Sequence, residues 1–401
     1  MNLPMPSRAF LRPSRFSMAA MLASFAAWMF PSFGVLNKGF EQPAQLDVTS
    51  FFILVCWYLL IFMGFSIGEK TAQLKIFRKR ALNDRVLSLE SNFLYYIFTL
   101  LTTIGTAATL VRIFTLLSIQ QAFVFMTLGE ANALKEALYE DYSVGLFSLR
   151  YVVLFSSSIA LYRMIRWKSF SPVNLFNIPL LFVSTFLLGS RLIFVASILT
   201  TLLMLTFDKR VLRFSLTKTI GITAILFVIL STVNAVRNKD YYEHLGLSFA
   251  QAGVSEIVAY LGSPFQVAIG SARFTDELTA GGDQSYRNFA DEEIVRNTNS
   301  AFVHLHEQMG YFSWAYIAGV CLCMGFLFEL MASLGKTIFL LPCGAILYAS
   351  AELWRLDLFH QGIFIVWMVI GIGLPSVVIA YRRLFSFVTV EPLRVQGQWS
   401  K

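Results

Sequence analysis

Charge is what this chain has least of. Only 14% of its 401 residues are Asp, Glu, Lys or Arg, against 56% hydrophobic. A soluble domain carries about a quarter charged residues, so a disordered chain, a disulfide-rich secreted domain and most soluble enzymes are excluded. Cysteine is scarce too. Cys56, Cys321, Cys323 and Cys343 all sit in apolar stretches, and Cys321-x-Cys323 lacks the four-ligand set of a zinc site. Of the four histidines, His304 and His306 stand two apart. On a helix that spacing puts them on different faces, with no third ligand in register, so no metal and no cofactor is expected. There is no Gly-x-x-x-x-Gly-Lys-Ser/Thr phosphate loop, no Gly-x-Ser-x-Gly elbow, no internal repeat and no low-complexity tract.

What the chain does have is long apolar runs. About 20 apolar residues cross a bilayer as a helix, and the runs are too continuous for membrane strands. The expected fold is an all-α polytopic membrane protein, residues 1–401 forming one integral membrane domain of about ten spans. These are read at 16–36, 48–68, 91–111, 144–162, 173–189, 191–207, 219–235, 310–333, 337–354 and 362–381. The first is an uncleaved span behind the basic leader Arg8, Arg12 and Arg15, because its apolar run is long for a signal core.

The net charge of +8 therefore marks loops, not nucleic-acid affinity. With the N-terminus inside, the leader, 69–90, 163–172, 208–218, 334–336 and 382–401 hold 21 of the 32 Lys and Arg. Excess basic residues mark the cytoplasmic side, so both termini are expected in the cytoplasm. Two large loops then fall outside. The smaller, 112–143, contains an amphipathic stretch over 128–138; the larger, 236–309, is polar and carries most of the outside charge.

Arginine on the outside runs against that orientation rule. Arg191 lies in the tight hairpin Gly189-Ser190-Arg191; Arg237, Arg273, Arg287 and Arg296 lie in the large loop; Arg355 follows the ninth span. An arginine at the centre of a span costs about 2.5–3.5 kcal/mol, less near the interface, so one at membrane depth has a partner. That partner is a protein carboxylate or an anionic group at the lipid surface, since guanidinium offers paired donors to phosphate oxygens. Glu352 or Asp357 is the bland partner for Arg355; Asp291, Glu292 and Glu293 serve Arg287 and Arg296; Arg237 can snorkel from a helix end. Arg191 has no acid nearby in sequence. Glu329, inside the eighth span, reads as a proton relay or as a hydrogen-bonded buried acid.

The end of the large loop runs Asn297-Thr298-Asn299-Ser300, then aromatic and small residues, then Gly310 opening a span. With the Gly189-Ser190-Arg191 hairpin, Tyr260-Leu261-Gly262-Ser263-Pro264, the two large loops and a Phe-rich composition, this resembles the O-antigen polymerase (Wzy) family of oligosaccharide repeat-unit polymerases. Related O-antigen ligases place a His-Asn pair where this chain has Asn299-Ser300. The resemblance implies a GT-C-like, metal-independent glycosyltransferase that moves a glycan from one undecaprenyl diphosphate onto another lipid-linked repeat at the periplasmic face. It implies that Arg191 and one or more of Arg273, Arg287 and Arg296 hold the diphosphate, with Arg237, Asn299 and Arg355 contributing to binding. Glu307, His304, His306 and Asp291 are the candidate bases, and Tyr286, Phe289 and Tyr311 the candidate sugar platforms. A chain-length regulator (Wzz-like) is the protein partner it implies. The rival expectations are a lipid-linked glycan flippase or transporter, a ligase-like transferase, and a structural subunit of an envelope-assembly complex.

Overall fold

The computed structural model describes residues 11–29, 47–74, 92–116, 145–186, 191–208, 248–281, 300–334 and 337–386, with isolated positions at 118, 120, 221, 228, 231–232, 246 and 286. Every regular element among them is helical. Helices α1 (Pro13–Met29), α2 (Val48–Ala72) and α3 (Asn92–Leu116) come first. A 3₁₀ turn, Leu146–Val152, runs into α4 (Val153–Trp167). Then come α5 (Pro172–Phe186), α6 (Arg191–Phe207), α7 (Phe249–Ser271), α8 (Thr275–Gly281), α9 (Ala301–Met309) and α10 (Phe312–Ser333). A second 3₁₀ turn, Thr337–Phe339, opens α11 (Leu340–Glu352), and α12 (Gly362–Ser386) follows. Among the described residues, four helices are long and apolar enough to cross a membrane: Val48–Ala72, Asn92–Leu116, Phe312–Ser333 and Gly362–Tyr381. Pro172–Thr185, Ile193–Phe207 and Thr337–Glu352 are shorter apolar helices. The span expected at 219–235 lies almost wholly outside the described residues, as does the smaller loop from 121 to 144 with its amphipathic stretch.

The large loop is not simply loop. Its centre forms α7, started by a capping box in which Ser248 and Gln251 satisfy each other's end of the first turn. This helix lies against α1, where the Ser24 hydroxyl donates to the Leu261 carbonyl at 2.6 Å and Phe265 fills the space between Phe25 and Trp28.

Helices α2 and α10 run parallel and nearly backbone to backbone. Gly64 and Gly68, spaced as in the small-residue motif of membrane helix pairs, face Ala318, Cys321 and Leu322; Gly325 faces the Phe65 carbonyl. A side chain at Gly68 would land on the Leu322 carbonyl oxygen, and one at Gly325 would sit 2.5 Å from the Phe65 oxygen. Polar side chains lock the other helices. Tyr95 of α3 donates to Asn174 of α5 at 2.9 Å, Asn177 donates to Tyr95 and Thr99 at 3.0 Å each, and Arg163 of α4 lies over the Tyr95 ring.

These contacts give the bundle two distinct ends. One gathers the first turn of α1 and the last turns of α2 and α10. There Ser14 donates twice to Glu69, both at 2.9 Å, and Glu329 receives Gln73 at 3.0 Å and lies 3.7 Å from Arg12. Glu329 is thus a hydrogen-bonded acid at a helix end. The last turns of α4 and α6 meet at Arg166 and Asp208. Among the described residues, Arg12 and Arg166 give this end its basic character. The far end carries the starts of α2, α10 and α12, the end of α11, and α8 and α9.

Candidate functional site at the far end of the bundle

The far end is built on short connections with side chains folded back onto them. Ser300 caps α9 by accepting from the Val303 amide at 3.1 Å. Gly310 ends it with φ of 55° while its amide donates to the His306 carbonyl at 2.8 Å. That left-handed turn is why a glycine stands there, and it aims α10 back into the bundle. Helices α8 and α9 pair through Thr279, which donates to the His306 carbonyl, and the Thr275 hydroxyl of α8 lies 3.1 Å from that of Tyr311, just before α10.

His306 faces inward. Its Nδ1–H donates to the Phe302 carbonyl at 2.8 Å, its Nε2 accepts from the Trp314 indole at 3.0 Å, and its ring lies against Trp57. Both partners require a neutral imidazole, and burial lowers its pKa below the ordinary histidine value, against the opposing pull of the Phe302 carbonyl. His304 faces the other way. It accepts from Gln308 at 3.1 Å and stacks on His360, centroids 5.9 Å apart and planes 24° apart. Glu307 is half-buried beside them.

The connection between α11 and α12 holds two further constellations. At its start Glu352 accepts from Tyr348 at 2.8 Å and from Arg355 at 3.2 Å, and the guanidinium lies 4.7 Å over the Tyr260 ring of α7. Of the two bland partners for Arg355, Glu352 is the one it takes. Five residues before α12 begins, Asp357 accepts from the Tyr316 hydroxyl at 3.0 Å, His360 Nδ1 at 3.1 Å and the Phe359 amide at 2.9 Å.

Arg191 is the first residue of α6, and its level follows from the packing. A side chain at Gly344 would collide with Thr200, so α11 and α6 cross there. The two are antiparallel: α12 runs with α4 (Trp367 to the Tyr151 carbonyl, Gly371 beside Phe155), α4 runs with α6 (Ser157 to Ser197), and α11 returns against α12 (Tyr348 beside Trp367). From the crossing, Arg191 lies nine residues back and Glu352 eight residues on. Both are therefore about 12–14 Å up, toward the same end.

No protein-family model, no curated protein and no solved structure matches the chain.

Several expected site residues thus share one end without forming one cluster. Arg355 and His304 lie with Glu352, Asp357 and His360. Arg273 stands 13 residues beyond Tyr260, about 20 Å away along α7, where it approaches Asp47 at 3.6 Å and lies over Phe274. The carboxyl of Asp47, which caps α2, is held below its usual range by the Thr49 amide and by Arg273. Tyr311 is 64% exposed, an open ring at the start of α10, whereas Tyr286 is 3% exposed and belongs to the core. Arg237, Arg287, Arg296 and Asn299, with Phe289 and Asp291, lie outside the described residues. Among the described residues no three His, Cys, Asp or Glu side chains stand close enough to hold a metal ion. Sequence reasoning missed His360 and Tyr316, and it saw in Asp357 only a partner for Arg355. Three of the chain's four histidines meet at this end, a convergence that the packing alone makes visible.

Proposed function

We propose that this chain polymerises oligosaccharide repeat units linked through diphosphate to undecaprenol, working at the periplasmic face of the inner membrane. The observation that carries the reading is the division between the two ends of the bundle. Arg12 and Arg166 lie at one end, where they pair with Glu329 and Asp208. The opposite end collects Arg191, Arg355, His304, His360 and the exposed Tyr311, contributed by separate stretches of chain. Such an end suits a reaction between two lipid-anchored, water-facing substrates.

In this mechanism the leaving group is the carrier diphosphate, which gains negative charge as the glycosidic bond breaks. Fixed cations stabilise that charge more in the transition state than in the ground state. Arginine supplies it without a metal, staying charged at any cellular pH and offering paired donors. Arg191 is assigned the diphosphate. Arg355, already balanced by Glu352 and Tyr260, is assigned a steadier role in shaping the wall of the site. The exposed Tyr311 ring offers an apolar face to a sugar.

The test is reconstitution. Full-length protein in liposomes with lipid-diphosphate-linked repeats should make a ladder of polymer, in excess chelator as well as without it. Arg191→Ala should abolish the ladder with the protein still in the membrane, and Arg191→Lys should restore little. Transport of the repeats without joining them would make the protein a flippase, and strict dependence on a divalent ion would overturn the arginine mechanism.

A further inference from the structure

We infer that His360, oriented by Asp357, is the base that takes the proton from the attacking hydroxyl of the acceptor glycan; this rests on the polymerase reading. Asp357 has no exposed side-chain surface, yet its carboxylate is fully engaged: Oδ1 accepts the Phe359 amide, and Oδ2 accepts both the Tyr316 hydroxyl and His360 Nδ1. Tyr316 belongs to α10, so the carboxylate is anchored to a different helix from the turn that carries it. Taking a carboxylate out of water costs several kcal/mol unless its oxygens are matched. Holding the turn alone would need only the Phe359 amide. The third donor is an imidazole with 38% of its side chain exposed, so the buried charge is directed at a group that faces solvent.

With Nδ1–H given to Asp357, the lone pair of His360 sits on Nε2, which takes no hydrogen bond among the described residues. The ring plane is fixed from one side by the stacked His304, itself held by Gln308. A carboxylate behind an imidazole sets its tautomer and stabilises the imidazolium that forms when it accepts a proton. The connection that carries this dyad also carries Arg355, five residues earlier.

The step balances with no further reactant. The acceptor O–H bond breaks and its proton passes to His360 Nε2. The oxygen's electron pair forms the new bond to the anomeric carbon of the donor glycan. The bond from that carbon to the diphosphate oxygen breaks, and its pair leaves on the carrier diphosphate. The proton then returns to water or to the released diphosphate.

The experiment uses full-length protein in liposomes with lipid-diphosphate-linked repeats as both donor and acceptor. His360→Ala should lower kcat by about 10²–10⁴-fold, the range of general base catalysis, with KM nearly unchanged, and added imidazole should restore part of the rate. His360→Gln keeps the bulk and a donor to Asp357, so it separates proton transfer from folding; it should be as slow as His360→Ala. Asp357→Asn, a positioning change, should lower kcat with KM unchanged. Wild-type rates in folded His360→Gln overturn the assignment. So does a loss in His360→Ala that imidazole leaves untouched, since the ring then serves only the turn. If the wild type itself makes no polymer but binds the lipid-linked repeats, the polymerase reading fails and takes this inference with it.

Discussion

The pair of Glu352 and Arg355 can be weighed by removing its charges one at a time and then together. Their side chains keep 11% and 18% of their surface, so the pair lies between a wholly buried one, where losing one partner costs about 3–5 kcal/mol, and a surface one worth about 0–1 kcal/mol. Glu352→Gln still offers Tyr348 a carbonyl acceptor, but it leaves the guanidinium with only the Tyr260 ring 4.7 Å away, a contact worth about 0.5–2 kcal/mol. Each single substitution should therefore cost about 2–3 kcal/mol. The double variant, Glu352→Gln with Arg355→Gln, buries no charge and should cost no more than either single one. That is a coupling of about 2 kcal/mol. Unfolding followed by tryptophan fluorescence in one detergent, on all four proteins, measures it, with Trp354 next to the pair. If the two single costs sum to the double one within about 0.5 kcal/mol, as independent sites do, the pair is not the buried unit described.

Two further outcomes follow from the fold. Gly68→Val should destabilise the protein by about 1–3 kcal/mol, because its branches meet the Leu322 carbonyl; a neutral effect on the melting temperature would show that α2 and α10 are not packed backbone to backbone. The lowered pKa of His306 makes stability depend on acid: the unfolded chain takes up a proton near pH 6.5 while the folded ring resists it, so its contribution is complete above that pH and declines as pH falls, by at most about 1.4 kcal/mol per pH unit. His306→Asn should lower stability at pH 8 and flatten that decline, and an unchanged slope below pH 6.5 would refute it.

Much of the bundle was legible because apolar runs and basic loops obey two separate rules that agree here. The runs at 48–68, 91–111, 310–333 and 362–381 became the four helices that, among the described residues, are long enough to cross a membrane, and Arg12 and Arg166, the described basic residues that pair with Glu329 and Asp208, lie at one end. Helix α7 was not legible. Gln251, Ser255, Glu256, Ser263 and Gln266 punctuate it, and an apolar window reads such a stretch as a polar loop. A helix shielded on one side by α1 does not need to be apolar all round, and the pairs that make that contact, Ser24 with Leu261 and Trp28 with Phe265, are each 237 residues apart in sequence.

The site divides along the same line. An i,i+3 pair such as Glu352 and Arg355 is written in the sequence, and both the bond and its alternative, Asp357, were readable. What decides the chemistry of Arg355 and His360 is not local: Tyr260 stands over the guanidinium, Tyr316 anchors Asp357 from 41 residues away, and His304 stacks on His360 from across the α9 turn. A search for arginines out of place finds the cations, because their cost in a membrane is a property of one residue. A base is a property of an arrangement: His360 reads as an ordinary loop histidine until the buried carboxylate behind it is seen. That is why the phosphate-binding half of the proposed reaction came from the sequence and the proton-transfer half came from the packing of α10 against the α11–α12 turn.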